Sequence, residues 1–418
     1  MRTHSVPSAL VRLALTIGLV LAAALAMPAE AHAAAIPLPE NDPFYAVPAD
    51  IASLADGAII GSRAVATQSF GLPLPVHAWQ LEYRTTDSIG RPTATVTTVM
   101  VPVAPWLGKG PRPLVSYQTA EDGVAGKCAP SYTLRAGLRS GFNNSAAESL
   151  LMASALLNGW AVAAPDYEGP QSAFLGGLGA GRAVLDGLRA AQHFAPDGVA
   201  SKTPIGAWGY SGGAYATSIA AELQPAYAPE VHFAGIALGG LVADVDATIN
   251  AFSGSVLAGA LPMGINGVER AFPNFDFSQY LNAHAKQLVT AAAAQCLTDA
   301  SASHQFLTMA QLEAFPGAFQ TQAVQQLLHD DSPLYIPGTP QAPVYDYHTI
   351  GDEFAPIAPD RAQMRRFCAA GVTVQHVEDP LGEHITGVVT AVPGVLAFLQ
   401  ARFAGRTPVN TCNTVPSP

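Results

Sequence analysis

Five residues, Gly209-Tyr210-Ser211-Gly212-Gly213, restrict what this chain can fold into more than any other stretch. They lie between a short apolar run at 205–208 and an Ala-rich stretch at 214–224 that stops at Pro225. The run reads as a buried strand and the Ala-rich stretch as a helix. A serine on so sharp a strand-to-helix turn is held in a strained conformation, and only small neighbours leave room for it. Its hydroxyl then stands exposed above a sheet, near the positive end of the helix, with the next backbone N–H free to face a negative charge. Ser211 is therefore the candidate nucleophile, and Gly212 the candidate donor of that N–H.

The chain opens with Arg2 and Arg12, an almost wholly apolar stretch at 13–26, and Ala31-His32-Ala33. That order is a secretory signal ending in an A-x-A cleavage site, and the stretch falls short of the roughly 20 residues of a membrane helix. Residues 1–33 are expected to be removed as a signal peptide. No later stretch is long and apolar enough to span a bilayer, so the mature chain is expected outside the cell with no integral membrane segment. What remains can bury one large α/β domain with an insertion, or two domains. A formal net charge of −11 with only 12% charged residues argues against nucleic acid and anionic membranes as partners. The four cysteines, Cys128, Cys296, Cys368 and Cys412, all follow the signal. An even number in an exported chain favours disulfides, and no C-x-x-C pair suggests zinc or redox chemistry. Four cysteines allow three connectivities. Cys128–Cys296 with Cys368–Cys412 is favoured, the second tying the Pro- and Thr-rich tail to the last part of the core.

Strand-like segments at 95–101, 114–118, 160–164, 205–208 and 233–238 alternate with helical ones at 146–157, 181–194 and 214–224. This βαβα rhythm predicts an α/β fold, a mostly parallel sheet with helices on both faces. From about Asp244 to about Pro333 the rhythm fails. That stretch is rich in Ala, Leu, Phe and Gln, with helical segments at 277–290, 302–315 and 323–328 and no convincing strand. The sheet pattern then resumes, with a strand at 344–350, a helix at 361–369, a strand at 372–377 and a last helix at 388–403 despite Pro393. The expected organisation is a core in 34–243 and 334–403, a helical cap at 244–333 inserted into it, and a C-terminal segment at 404–418. There are no internal repeats. The glycine-dense 176–181 does not match a phosphate-binding pattern.

A serine hydroxyl is a poor nucleophile until a histidine takes its proton and a carboxylate orients that histidine. In α/β-hydrolases the chain order is serine, acid, histidine, with the partners in loops at the carboxyl ends of strands. Asp352 fits the acid, because it follows the strand ending at Ile350 and a glycine. Glu353 is its nearest rival, Asp346 lies inside the strand, and Asp360 looks like a helix cap. His384 fits the base: it lies beyond the last strand, just before the final helix. His348 and His376 alternate with apolar residues inside strands and read as structural. A second oxyanion donor should come from the loop after the 114–118 strand. Many lipases carry His-Gly-Gly there; this chain has Ala120-Glu121-Asp122-Gly123, which makes Asp122 or a neighbour the donor. Asp122 could equally stabilise the loop as an Asx turn.

Asp42-Pro43-Phe44-Tyr45, Ser116-Tyr117-Gln118, Glu121-Asp122, Cys128-Ala129-Pro130-Ser131-Tyr132, Asp166-Tyr167-Glu168-Gly169, Leu185-Asp186-Gly187-Leu188-Arg189-Ala190, the serine turn, Asp352-Glu353 and Glu383-His384 occur in that order. Together they resemble the secretory lipases of the Candida antarctica lipase A type, within the α/β-hydrolase superfamily, over nearly all the mature chain. The resemblance implies Ser211, Asp352 and His384 as a triad, with Asp122 and Gly212 as the oxyanion hole. It also implies a helical cap, a lipid-binding tunnel, a mobile C-terminal flap at 404–418 and the disulfides Cys128–Cys296 and Cys368–Cys412. The expected activity is hydrolysis of triacylglycerols or smaller lipophilic esters, with no metal or organic cofactor. An acyltransferase using the same residues, a serine peptidase, and a non-catalytic binding protein on the same scaffold are the rival readings.

Overall fold

Nine strands among the described residues form one twisted sheet: β1 (Ile59–Val65), β2 (Val76–Thr86), β3 (Pro92–Pro102), β4 (Leu114–Gln118), β5 (Ala161–Pro165), β6 (Ile205–Tyr210), β7 (Phe233–Gly239), β8 (Val344–Thr349) and β9 (Val374–Asp379). The structure is a computed structural model that describes residues 36–199 and 202–418, so the expected signal peptide lies outside the described residues. Strand order is β1-β2-β3-β5-β4-β6-β7-β8-β9. The β1–β2, β2–β3 and β3–β5 pairs are antiparallel, and the rest are parallel. β4, β5 and β6 are buried along their whole length, which is why they read as continuous apolar runs rather than alternating ones. In β6, Trp208 is fully buried and meets Tyr117 of β4 edge-on at 5.0 Å. Such a pair contributes about 0.5–1.5 kcal/mol beyond its buried area.

The sheet has an antiparallel edge of which only β3 was expected. β2 carries Gln80, Glu82 and Thr85, all buried, so its polar residues do not mark an exposed face. Gln80 is satisfied there by donating its amide to the Ser131 carbonyl at 2.7 Å. The helix after the serine runs Gly212–Tyr227, past the expected stop at Pro225. Pro225 lies in its last turn, where one missing N–H interrupts little, and Ala228 N–H still closes on Gln224.

Between β7 and β8 the described residues contribute no strand to the sheet. Six α-helices occur there, Val245–Phe252, Ala260–Ala271, Ala283–Ala291, Leu297–Ser303, Met309–Leu312 and Gln322–Asp330. Their apolar faces pack on one another and on Tyr215 and Ile219 of the helix behind Ser211. The helices Val245–Phe252 and Leu297–Ser303 were not expected, and the one expected at 277–290 is α-helical over Ala283–Ala291. The 302–315 segment is α-helical only at its first two residues, which end the helix Leu297–Ser303, and at Met309–Leu312, and the unexpected helix Ala260–Ala271 contains Pro262, Gly264 and Gly267, which depress helix propensity. Packing overrides propensity here: a Cβ on Gly267 would sit 2.4 Å from the Phe174 carbonyl, so only glycine allows the approach.

The expected last helix is two, His384–Thr390 and Val392–Phe403, bent by 46°. Pro393 occupies the first turn of the second helix, where its missing N–H is harmless, but it cannot continue the first. No single helix among the described residues is long and apolar enough to cross a membrane. The bent pair is apolar because Val395, Phe398 and Leu399 pack beneath the sheet beside Trp208. Both disulfides form as Cys128–Cys296 and Cys368–Cys412. The second fastens the tail beside β9: Thr411 N–H donates to the Val374 carbonyl at 2.8 Å, and Val415 is buried.

Candidate active site

Ser211 follows β6 and caps the helix Gly212–Tyr227, with φ 53° and ψ −122°. This is a positive φ that a non-glycine residue holds only when its surroundings enforce it. The enforcement is visible. Ser211 N–H donates to the Gly239 carbonyl at 2.8 Å, and its carbonyl accepts from Tyr215 at 3.0 Å. A Cβ on Gly209 would lie 2.2 Å from the Gly213 carbonyl oxygen, and one on Gly213 would lie 2.1 Å from that of Gln118. The two outer glycines of the motif are therefore set by backbone approach.

His384 Nε2 lies 2.8 Å from Ser211 Oγ, and its Nδ1 lies 2.7 Å from Asp352 Oδ2. A carboxylate at Nδ1 holds the proton on that nitrogen, so Nε2 is left with a lone pair to accept the serine hydroxyl. Asp352 follows β8. Its Oδ1 accepts the N–H groups of Phe354 at 3.0 Å and Ala355 at 2.7 Å. Burial works to raise the Asp352 pKa; the hydrogen bond and charge of His384, the charge of His348 and the Ala355 N–H outweigh it and hold it below 3.8. Glu353, the rival acid, faces elsewhere and accepts the backbone N–H of His384 at 3.2 Å. Tyr210 donates its hydroxyl to the His384 carbonyl at 2.6 Å, and Phe354 meets the imidazole edge-on at 5.7 Å.

Asp122 lies beside Gly212: a Cβ on that glycine would fall 2.1 Å from Asp122 Oδ1. Asp122 has φ 38°, its carbonyl accepts from Leu297 N–H at 2.9 Å, and its Oδ2 accepts from the Asn144 amide at 3.1 Å. That last bond ties the carboxylate to a neighbouring helix rather than closing a local Asx turn. Burial pushes the Asp122 carboxyl up to about 6, against the pull of His384 and Asn144. Gly212 opens its helix, so its N–H has no intrahelical partner. An apolar cavity lined by Phe174, Leu175, Ile249, Leu261 and Ile265 reaches Ser211, Gly212 and Asp122.

Tyr210, Phe354 and Asn144 are contacts that sequence reading missed. Tyr210 occupies the free position of the G-x-S-x-G motif, and that place is the one signal available. His348 and His376, read as structural, stand with Asp346 and Asp360 behind Asp352. Asp360 is not a helix cap: it lies in the first turn of the helix Ile357–Ala369, and Pro356 holds the cap position.

The family model described as secretory lipase matches residues 138–411 of this chain. The chain belongs to the secretory lipase family. This secretory lipase is 34% identical over 391 residues to lipase 10 of Candida albicans, covering 90% of the chain and 83% of that protein. It is equally 34% identical, over 380 residues, to a Mycobacterium tuberculosis protein named a probable inactive lipase, covering 88% and 83%. Its fold matches the X-ray structure of Candida antarctica lipase A with a TM-score of 0.83 at 30% identity, over 91% of this chain and 90% of that one. The enzyme is an ester hydrolase of the α/β-hydrolase fold, and its substrates are lipophilic esters.

Proposed function

We propose that this enzyme is a secreted serine carboxylic-ester hydrolase working through Ser211, His384 and Asp352 on triacylglycerols or smaller lipophilic esters. The observation that carries the reading is the unbroken chain of contacts from Asp352 through His384 to Ser211, 2.7 and 2.8 Å long, with Ser211 in the lining of an apolar cavity. Ser211 Oγ attacks the ester carbonyl as its proton passes to His384 Nε2. The N–H groups of Gly212 and Asp122 receive the developing oxyanion, a contribution of about 10²–10³ in kcat per donor. His384 then gives its proton to the leaving alcohol, and water, activated by the same imidazole, releases the acid from the acyl-serine. Asp352 keeps the ring oriented and stabilises its charged form.

The helical segment 244–333 acts as the cap and supplies most of the apolar wall for the acyl chain. Export through the cleaved signal at 1–33 agrees with two disulfides in a chain of a secretory family. Hydrolysis of p-nitrophenyl and glycerol esters from short to long acyl chains, run below and above substrate solubility, tests the reading. Activity should favour lipophilic acyl groups and vanish in Ser211→Ala. Activity confined to aminoacyl-proline amides, or unchanged by that substitution, contradicts it.

A further inference from the structure

Asp346 and His348 are two residues apart on β8 and so share one face of the sheet. Across the parallel β8–β9 pair, Asp346 stands level with His376 and His348 with Glu378. The helix Ile357–Ala369 packs against these two strands and brings Asp360 from its first turn. The result is a buried polar cluster: Asp346 and Asp360 have no exposed surface, and His348 is 2% exposed. Ligand-type atoms of Asp346, Asp360 and His376 all lie within 4.8 Å of one another.

The hydrogen bonds of this cluster do not close. Asp346 Oδ1, both carboxylate oxygens of Asp360 and His348 Nδ1 are buried without a hydrogen-bond partner. His348 Nε2 is 2.8 Å from the Ala355 carbonyl, which only an N–H can satisfy. A neutral His348 therefore carries a lone pair at Nδ1, and that nitrogen faces Asp360 Oδ2 at 3.5 Å. His376 has a carboxylate at each ring nitrogen, Asp346 Oδ2 at 2.5 Å and Glu378 Oε1 at 2.9 Å. Glu378 is gripped by Arg361 through two bonds, of 2.7 and 2.9 Å, so that guanidinium is already committed. With the imidazoles neutral, acceptors face acceptors around one point, and leaving them so in a buried site is costly. A positive species belongs there.

We infer that Asp346, Asp360 and His376 bind a zinc ion, with His348 Nδ1 completing a four-coordinate site. Imidazole and carboxylate donors in this mixture suit zinc, whereas magnesium and calcium favour larger all-oxygen sets. The 3.5 Å between His348 Nδ1 and Asp360 Oδ2 is close to the spacing of two ligands on a tetrahedral zinc with bonds of about 2.0–2.1 Å. Asp346 would offer its open Oδ1. Each imidazole already has its far nitrogen held as zinc ligands require, His376 by Glu378 and His348 by the Ala355 carbonyl. The ion would be structural. It would join β8, β9 and the helix Ile357–Ala369 directly behind Asp352, whose Oδ2 is 3.5 Å from His348 Nε2. It touches no reacting atom, and the inference stands whether or not Ser211 is the nucleophile.

The test uses the full mature chain with its disulfides intact, stripped of metal and titrated with zinc chloride against a chromophoric chelator. One zinc per chain should bind and raise Tm. Asp360→Asn and His376→Gln should each weaken binding at least tenfold, and Glu378→Gln about tenfold. His329→Gln, at a half-exposed histidine, should leave it unchanged. Cobalt in place of zinc should give the intense visible bands of a four-coordinate centre. If a cluster variant fails to fold, wild-type stoichiometry and the cobalt spectrum decide. Wild type that takes up no zinc at micromolar free metal, or zinc binding lost in His329→Gln but kept in Asp360→Asn, overturns the inference and leaves protons as the occupants.

Discussion

At Ser211 the backbone adopts φ 53°, and the cost of that conformation is met by bonds from two separate elements, β7 through Gly239 and the helix through Tyr215. The motif announced this residue because its glycines are demanded by carbonyl oxygens only about 2 Å from any added Cβ, a constraint local enough to be written in five consecutive letters. Asp352 and His384 were legible for another reason: Asp352 lies in the loop after β8 and His384 opens the helix that follows β9, in the order the chemistry requires. Their supports were not legible. The Tyr210 hydroxyl on the His384 carbonyl and the Asn144 amide on Asp122 join residues far apart in the chain, and nothing in either neighbourhood signals the other. Asp352→Asn should retain the fold but lower kcat by about 10⁴, because an amide no longer fixes the proton on Nδ1. Steady-state kinetics with a soluble ester checks this. A loss below tenfold would show that the imidazole needs no carboxylate there.

Among the elements, the loop carrying Asp122 is stitched to the helical segment rather than to the sheet alone. Val124 N–H donates to Gln295, Leu297 N–H donates to Asp122, and Cys128–Cys296 closes the seam. The other disulfide spans 44 residues and holds only the tail. Chain entropy alone assigns about 5 kcal/mol to the longer loop and about 4 to the shorter. Cys128→Ser/Cys296→Ser is expected to lower both Tm and kcat, since it frees an oxyanion donor. Cys368→Ser/Cys412→Ser should lower Tm with little change in kcat. Calorimetry and initial rates on the two double variants distinguish these outcomes, and equal rate losses would contradict the assignment of the seam to the site. Sequence pattern found the parallel strands because burial on both faces makes them continuously apolar. It missed β1, and it missed β2 even though Trp79-Gln80-Leu81-Glu82-Tyr83-Arg84 alternates apolar and polar residues as a strand does; it also missed the helix Ala260–Ala271, where tight contacts favour glycine over helix formers.

On the scale of the whole molecule, many carboxyls are buried with their pKa values raised by desolvation. Glu148, Glu222 and Asp331 are each pushed up to about 8 by burial. A raised carboxyl favours the folded state fully below its unfolded value, and that contribution is lost as pH rises through the folded one. Asp42, Asp352 and Glu378 are lowered and act in the opposite sense, losing their contribution only in acid. Tm is therefore expected to be highest near pH 5 and to fall by several degrees toward pH 8. Glu148 accepts from Tyr117 and from Ala120 N–H, so Glu148→Gln keeps its shape while removing one titration. The difference in Tm between those pH values should shrink in that variant. A wild-type Tm that rises over the same interval would show that the lowered carboxylates dominate. All these expectations surround one serine. Treatment of the folded enzyme with a fluorophosphonate, followed by peptide mapping, should give a single adduct on Ser211, absent from Ser211→Ala and formed faster in wild type than in His384→Ala. A folded wild type that stays unlabelled, or an adduct on another residue, would contradict the account.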